Sequence, residues 1–500
     1  MLLNKLLDGV KIKKTVGDLN LDITNIHSDS RKIKQNGLFV AINGFSKNGT
    51  DFILDAVKNG AIAVIVEPDT DIEDLYIKFS IPIISVYHTR ETLAILACNF
   101  YDNPSKKLKL IGVTGTKGKT TTTFMIKSIL EAHNLKVGLI GSIAVYINGE
   151  KIENTDRTTP ESIDIQKNLD LMVKRNVDVA IIEVSSQAMK LDRVTGCDFD
   201  LGVFTNLTED HISPKEHPNM EDYFNCKLKL LELSKACVIN NDDEIVRTVN
   251  KLLPEKNIKT FAIDSNADFK VNPNTVIITD SYIDFSILYN GKEEKIEACI
   301  PGKFSIYNSA GAIAAASFFG VTADEIRLAL KDLRVLGRSE LVPNKLGLTI
   351  MIDYAHTPSS LESILTAVNT YAKGKVICAW GVGGDRDAAK RPVMGEISGR
   401  LADYTVLMSD QVRTEDPLKI LKEIEVGIIP TGKPYKIVVD RTEGIKYAIS
   451  IAKQGDIIVI PGLGHDLYLE KNGVKYPYDE REVITKIIDE MIASGKRNPI

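Results

Sequence analysis

Short runs of β-branched and aliphatic residues alternate along almost the whole chain with stretches whose apolar positions recur at helical spacing. Strand character is clear at Val177-Asp-Val-Ala-Ile-Ile-Glu-Val184, Phe199-Asp-Leu-Gly-Val-Phe204, Leu348-Thr-Ile-Met-Ile352, Val376-Ile-Cys-Ala-Trp380, Tyr404-Thr-Val-Leu-Met408 and Asp456-Ile-Ile-Val-Ile460. Near-continuous apolar runs of this length, separated by helical patterns, predict an α/β architecture with mainly parallel sheets. Each run ends in a polar or glycine-rich loop, where open α/β sheets bind ligands. Two breaks divide the pattern: the polar, proline-bearing Asp102-Asn-Pro-Ser-Lys-Lys107, and the region Arg334–Pro343 between a helical pattern from Ala323 and a new strand. They predict three domains, about 1–105, 106–335 and 336–500, in keeping with roughly 150 residues per domain.

The sharpest local pattern is Lys109-Leu-Ile-Gly-Val-Thr-Gly-Thr-Lys-Gly-Lys-Thr120. A strand leads into a glycine turn, and Met125, Ile126, Ile129 and Leu130 then repeat at helical spacing. Strand, turn and helix form the setting of a phosphate-binding loop. Gly115, Thr116, Lys117 and Gly118 shape the turn, Lys119 supplies a cation, Thr120 offers an oxygen to Mg²⁺, and the helix N-terminus adds positive partial charge. The full Walker spacing asks for glycine five residues before Gly118, where Val113 stands. The loop therefore implies a nucleoside triphosphate, and the departure a particular subclass of P-loop enzyme. Glu183, at the end of the run Val179–Ile182, is placed downstream to hold Mg²⁺ directly or through water.

Composition narrows the class without naming it. The 44% hydrophobic and 26% charged fractions are those of an ordinary soluble protein. The six cysteines form no CxxC pair and no zinc spacing, and read as reduced thiols of a cytoplasmic protein. The N-terminus lacks the apolar core of a secretion signal, and the longest small-apolar run, Ala310 to Val321, is too short to span a bilayer. A net charge of −5 offers no general attraction for nucleic acid. Neither a nucleic-acid partner nor membrane insertion is expected.

Further motifs follow in order: Glu183-Val-Ser-Ser, Thr205-Asn-Leu-Thr-Glu-Asp-His211 and Tyr223-Phe-Asn-Cys-Lys227. Around them stand Asp29-Ser-Arg31, Gly37-Leu-Phe-Val-Ala41, Thr158-Thr-Pro-Glu161, Gly337-Arg338, Asp353-Tyr-Ala-His-Thr-Pro358 and Gly383-Gly-Asp-Arg386. This set, spread over nearly the whole chain, resembles the Mur ligases of peptidoglycan synthesis, and among them those that add the third peptide residue. The resemblance implies three domains: a UDP-binding α/β module, a central P-loop ATPase and a Rossmann-like domain. It implies an ATP-dependent ligase that phosphorylates the carboxylate of UDP-N-acetylmuramoyl-L-Ala-D-Glu and joins the acyl phosphate to a diamino acid, meso-diaminopimelate first. It assigns Lys119 to the terminal phosphates, Thr120 and Glu183 to one Mg²⁺, and His211 and Lys227 to a second metal, with Lys227 as a carbamate. Asn308 is expected on adenine, Arg338 on phosphates and Asp353 on ribose. Ser30, Thr158, Thr159, Ser185 and Arg193 are expected on the UDP-linked peptide. Arg386, Asp410, Gln411, Arg413, Gly462 and Asp466 fall to the incoming amino acid. A monomer whose third domain closes over ATP completes the expectation.

Departures from the family pattern gather at the amino-acid site. Asp410-Gln-Val-Arg413 stands where relatives that take diaminopimelate carry Asp-Asn-Pro-Arg, and Gly462-Leu-Gly-His-Asp466 where Gly-x-Gly-His-Glu is usual. Gln187 and Ser305 also replace the usual histidine and asparagine. Arg413 keeps a planar guanidinium suited to a second carboxylate, whereas a lysine-selecting site gains nothing from it. The changes leave L-lysine, another amino acid or a modified nucleotide-peptide as alternative substrates. A folylpolyglutamate-synthase-like ligase is disfavoured by the first segment, and a non-catalytic nucleotide-gated scaffold by the intact Lys119, Thr120, Glu183, His211 and Lys227.

Overall fold

The computed structural model describes residues 1–44, 47–213 and 216–498. It forms two compact units, Met1–Phe269 with Gly311–Thr322, and Lys270–Ala310 with Ala323–Ile500.

The first unit carries two sheets. In the smaller, the strand order is Ile12–Val16, Ile83–Val86, Ala61–Val66, Gly37–Val40, Asn25–His27; the first pairs antiparallel with its neighbour and the others run parallel. Its alternate faces bury Ile26, Leu38, Val40 and Ile65 on one side and Phe39, Ala41, Val64 and Val66 on the other. Two-sided burial explains why these strands read as continuous apolar runs.

The larger sheet contributes six parallel strands in the order Asn257–Ala262, Ala236–Asn240, Leu201–Phe204, Lys109–Thr114, Val179–Glu183, Val137–Ile140. The antiparallel strands Ala144–Ile147 and Glu150–Asn154 extend it. Lys109–Thr114 lies at its centre, with Val179–Glu183 on one flank and Leu201–Phe204 on the other. After Lys109–Thr114 the chain first builds toward Val137–Ile140 and later crosses back to Leu201–Phe204. The reversal makes the carboxyl end of Lys109–Thr114 a topological switch point, the place where such sheets bind ligands. A side chain at Gly112 would run into Phe199 and Leu230, so glycine there lets the helix Met220–Leu233 pack close against this strand.

The second unit contains the antiparallel ribbon Ile283–Tyr289 and Lys292–Ala298, and a six-stranded sheet. The order in that sheet is Glu340–Leu341, Thr349–Asp353, Ile457–Pro461, Val376–Trp380, Tyr404–Leu407, Tyr435–Ile437, all parallel except the first. Pro358–Asn369, Lys390–Leu401 and Pro417–Ile428 bury Leu361, Leu365, Met394 and Ile424 against one face. Arg441–Ile451 and Glu480–Ala493 bury Ile445, Ala448, Ile484 and Ile488 against the other. Helices on both faces of a parallel sheet give a doubly wound arrangement, within the α/β class with mainly parallel sheets that the run pattern predicts. Among the described residues, no helix is long and apolar enough to cross a membrane.

Candidate functional site

The glycine turn forms as its sequence requires. Gly115 has φ +146° and Gly118 φ +83°, and a Cβ at Gly115 would lie 2.0 Å from Thr205 Oγ1. Gly118 caps the helix Lys119–Ala132, whose Met125, Ile126, Ile129 and Leu130 are fully buried. The loop is held from the next strand end: Thr205 Oγ1 and Asn206 Nδ2 donate to Lys117 O at 2.7 and 2.9 Å, and Lys117 N donates to Asn206 Oδ1 at 3.0 Å. Lys119 Nζ folds back onto the carbonyls of Gly115 and Thr116, at 2.8 and 3.0 Å. The Thr205-Asn206 pair thus fixes the loop, a role that its place in the sequence motif does not reveal.

Glu183, fully buried, turns its carboxylate to the same place. It accepts from Thr120 Oγ1 at 3.0 Å, from Ser142 N at 3.1 Å and from Ser142 Oγ at 3.0 Å. A Cβ at Gly141 would fall 2.2 Å from Glu183 Oε1, so this second glycine clears the space that the carboxylate occupies. A hydroxyl and a carboxylate at 3.0 Å are hard oxygen donors, and the set fits Mg²⁺.

Lys227, on the helix Met220–Leu233, is 1% exposed. Its Nζ donates to Gly115 O at 2.8 Å and lies 4.5 Å from the centroid of the Tyr223 ring. Burial, with the Lys119 charge nearby, pushes its ammonium well below the ordinary lysine range. His211 adopts φ +59° and approaches the same Tyr223 ring at 6.0 Å, with Nδ1 3.2 Å from Glu216 Oε2. An unmodified lysine ammonium does not fit a metal site; a carbamate at its end would.

A neighbouring network has no counterpart in the sequence reading. His217, 1% exposed, places Nδ1 2.6 Å from Asp222 Oδ2 and Nε2 2.9 Å from Ser186 Oγ, while Lys190 Nζ lies 2.9 Å from Asp222 Oδ2. Cys226 stands beside them, making a cluster with metal-ligand chemistry. Both His217 nitrogens are already hydrogen-bonded and the carboxylate is paired with a lysine, so the cluster ties Ser186–Lys190 to the helix that carries Lys227. Only the fold brings these residues together.

The residues expected on the UDP-linked peptide divide. Thr158 accepts from Ser142 Oγ at 3.0 Å, adjoining the Glu183 carboxylate. Thr159 Oγ1 donates to Glu183 O at 2.7 Å and accepts from Ser185 N at 3.0 Å; Ser185 in turn caps Ser186–Lys190 through Ala188 N. Arg193 is buried, pairs with Glu161 at 3.1 Å and donates to Thr159 O at 3.2 Å. Ser30 is buried in the short helical turn Ser30–Lys32, which Asp29 caps. Beside these residues opens a cleft of about 480 Å³, between the smaller sheet and the hairpin end, lined by His27, Ser28, Asp29, Lys32, Arg90 and Arg157 among others. Arg31 bonded to Asp29 draws that carboxyl down to about 2, while burial and Lys32 lower His27. The cleft cations Lys32, Arg90 and Arg157 are absent from the sequence reading. Arg157, directly before the Thr158 motif, is the one that proximity could have flagged.

In the second unit, Asp353 ends its strand and accepts from Ser339 N at 2.7 Å and Ala355 N at 2.9 Å; burial raises its carboxyl despite these bonds and the Arg338 charge. Arg338 lies over the Tyr354 ring at 4.8 Å. Asn308 is buried on the helix Lys303–Ala316. The amino-acid candidates meet beyond the carboxyl ends of Tyr404–Leu407 and Ile457–Pro461, two strands that flank Val376–Trp380. Gln411 Nε2 donates to Asp466 Oδ2 at 3.0 Å, and Asp410 lies 3.6 Å from the buried Arg441, which pairs with Glu480 at 2.7 Å. Gly462, at φ +127°, could carry no side chain without meeting Asp410 Oδ2. Arg413 also joins the group, whereas Arg386 is exposed on the loop after Gly384.

A P-loop at the switch point of a parallel sheet, with a buried carboxylate on its threonine, and a doubly wound unit define a nucleoside-triphosphate-binding protein of several α/β domains. Three family models match in chain order: "Mur ligase family, catalytic domain" over residues 22–101, "Mur ligase middle domain" over 113–316 and "Mur ligase, glutamate ligase domain" over 337–464. UDP-N-acetylmuramoyl-L-alanyl-D-glutamate–2,6-diaminopimelate ligase of Caldanaerobacter subterraneus subsp. tengcongensis is 42% identical over 98% of this chain and 99% of its own. The enzyme designated ligase 1 of the same name in Clostridium acetobutylicum is 41% identical over 98% and 100%. A solved structure of a ligase of that name superimposes with TM-score 0.66 at 26% identity, covering 95% and 96% of the two chains. The ADP complex of Thermotoga maritima MurF, at 18% identity and TM-score 0.59, shares the fold. The chain belongs to the Mur ligase family of ATP-dependent amide-bond-forming ligases, and has its three-domain α/β fold.

Proposed function

We propose that this protein uses ATP and Mg²⁺ to join a diamino acid, meso-diaminopimelate, to UDP-N-acetylmuramoyl-L-Ala-D-Glu. The observation that carries the reading is the buried Thr120–Glu183 contact at 3.0 Å beside a P-loop, in a chain whose similar relatives bear this ligase name. The D-Glu carboxylate attacks the terminal phosphorus of ATP, and ADP leaves. The amine of the diamino acid then attacks the acyl carbon, phosphate leaves from the tetrahedral intermediate, and the amine proton is released. Two anions meet in the first step, so the site must offset their repulsion. Lys119 supplies a fixed cation, the loop N–H groups a cradle, and Thr120 with Glu183 the oxygen donors for a metal. Mg²⁺ bound there would neutralise charge on the transferring phosphoryl group. Lys227 as a carbamate, with His211, would hold a second ion. Asn308, Arg338 and Asp353 fit adenine, phosphates and ribose by donor type.

The cleft beside His27 and Arg157 suits the nucleotide-sugar part, since Lys32, Arg90 and Arg157 offset a diphosphate. Asp410, Gln411, Arg413, Gly462 and Asp466 would receive the amino acid, with Arg413 toward the distal carboxylate. Arg386 would enter only through movement of its loop. The acyl-phosphate route is tested with UDP-dipeptide labelled with oxygen-18 in the D-Glu carboxylate. One labelled oxygen should pass into the released phosphate in each turnover. Phosphate free of label would overturn the route.

A further inference from the structure

Arg413 stands in the left-handed region, φ +50°, and is fastened to the hairpin Tyr468–Lys471/Val474–Pro477. Its N–H donates to Glu470 O at 3.0 Å and its carbonyl accepts from Asn472 N at 2.8 Å. Gln411 Oε1 accepts from Glu470 N at 3.1 Å, so backbone and side chain register the hairpin on the loop that carries the amino-acid candidates. The guanidinium is engaged as well. Arg413 Nε pairs with Glu470 Oε2 at 3.4 Å, and Nη1 donates to Gly384 O at 2.7 Å. A Cβ at Gly383 would lie 2.8 Å from Nη1, so the glycine permits this pose. Among the described residues, Nη2 alone of the guanidinium nitrogens has neither a hydrogen bond nor an ion pair. A carboxylate ligand can therefore take the side-on, two-toothed grip through Nε and Nη2 only by displacing Glu470.

We propose that Glu470 is a specificity-determining residue, which restrains Arg413 and so limits the preference for a diamino acid with a second carboxylate over one without it. The proposal rests on the ligase reading and on Arg413 facing the distal end of the amino acid. The chemistry acts in one direction through two effects. Glu470 competes with a distal carboxylate for the guanidinium, and its own charge favours the lone distal ammonium of lysine. Relatives that differ here would discriminate differently with the same arginine in place.

The test compares kcat/KM for meso-diaminopimelate and for L-lysine in the wild type and in Glu470→Gln and Glu470→Ala. The half-exposed hairpin position makes both variants compatible with folding, which melting curves check. The diaminopimelate-to-lysine ratio should rise about fivefold in each, the size expected of one partly exposed ion pair. The change should appear in the KM of the amino acid, with the KM of ATP unmoved. Adding Arg413→Gln to Glu470→Gln should erase the gain. A ratio that stays level or falls in both folded variants overturns the proposal while leaving the ligase reading intact. A wild type that forms product with neither amino acid, nor with any other diamino acid, overturns the ligase reading and the proposal with it.

Discussion

At Lys227 the fold favours the neutral amine on which the proposed carbamate depends. A lysine 1% exposed, under an aromatic ring and near a second lysine, is held in its neutral form more readily than any surface lysine. A neutral amine attacks carbon dioxide, forms the N–C bond and releases a proton, so burial favours the carbamate that the proposed second metal site would need. The sign is fixed by the lowered folded-state pKa: deprotonation is favoured from well below the ordinary lysine range upward. With carbon-13-labelled bicarbonate, the wild type should show a carbamate resonance that is absent in Lys227→Gln, and that variant should lose about a hundredfold or more in turnover. Identical spectra at saturating bicarbonate would contradict the carbamate. The motif made Lys227 visible in the sequence. Its burial was not visible, because Gly115 and Tyr223 reach it only in the folded helix. Gly141 is a sharper case, since nothing around it in the sequence announces that Glu183 needs its missing side chain.

The strands read from the sequence include ones buried on both faces, since an unbroken apolar run then survives in it. Val376–Trp380 appears with the predicted bounds, and Val179–Glu183 and Leu201–Phe204 within them. Strand ends were harder, because they are set by side chains that cap a neighbouring strand. Asp242 is such a residue. It follows Ala236–Asn240 and accepts from the N–H groups of Ile263, Asp264 and Ser265, at 2.6, 2.9 and 2.6 Å, just beyond Asn257–Ala262. Partial burial opposes ionisation, but these three donors prevail and bring its carboxyl down to about 2. A depressed folded-state pKa contributes stability that is complete above the ordinary carboxylate range and is lost as pH falls toward about 2. After allowance for solvent screening the contribution is about 1 kcal/mol. Asp242→Asn should therefore lower the denaturation midpoint at neutral pH and flatten its decline between pH 4 and about 2. An unchanged acid limb would show that these bonds do not stabilise the strand pair.

Across the whole molecule, the α/β class and the family could be read from the order of motifs, which a fold of this length leaves scattered along the chain. Pairing between distant segments could not. The return of Ile457–Pro461 between Thr349–Asp353 and Val376–Trp380, which places Gly462 beside Asp410, is a matter of topology rather than of local pattern. So is the hairpin that brings Glu470 to Arg413. These distant pairings shape the proposed amino-acid site, which is also where the sequence departs most from its family pattern. The most direct test of the account is the mass of the product formed from ATP, Mg²⁺, UDP-N-acetylmuramoyl-L-Ala-D-Glu and a panel of meso-diaminopimelate, L-lysine, L-ornithine and other amino acids. The account predicts an adduct with meso-diaminopimelate, formed with stoichiometric ADP. ATP left intact, or a UDP-dipeptide unextended by every amino acid in the panel, would contradict it.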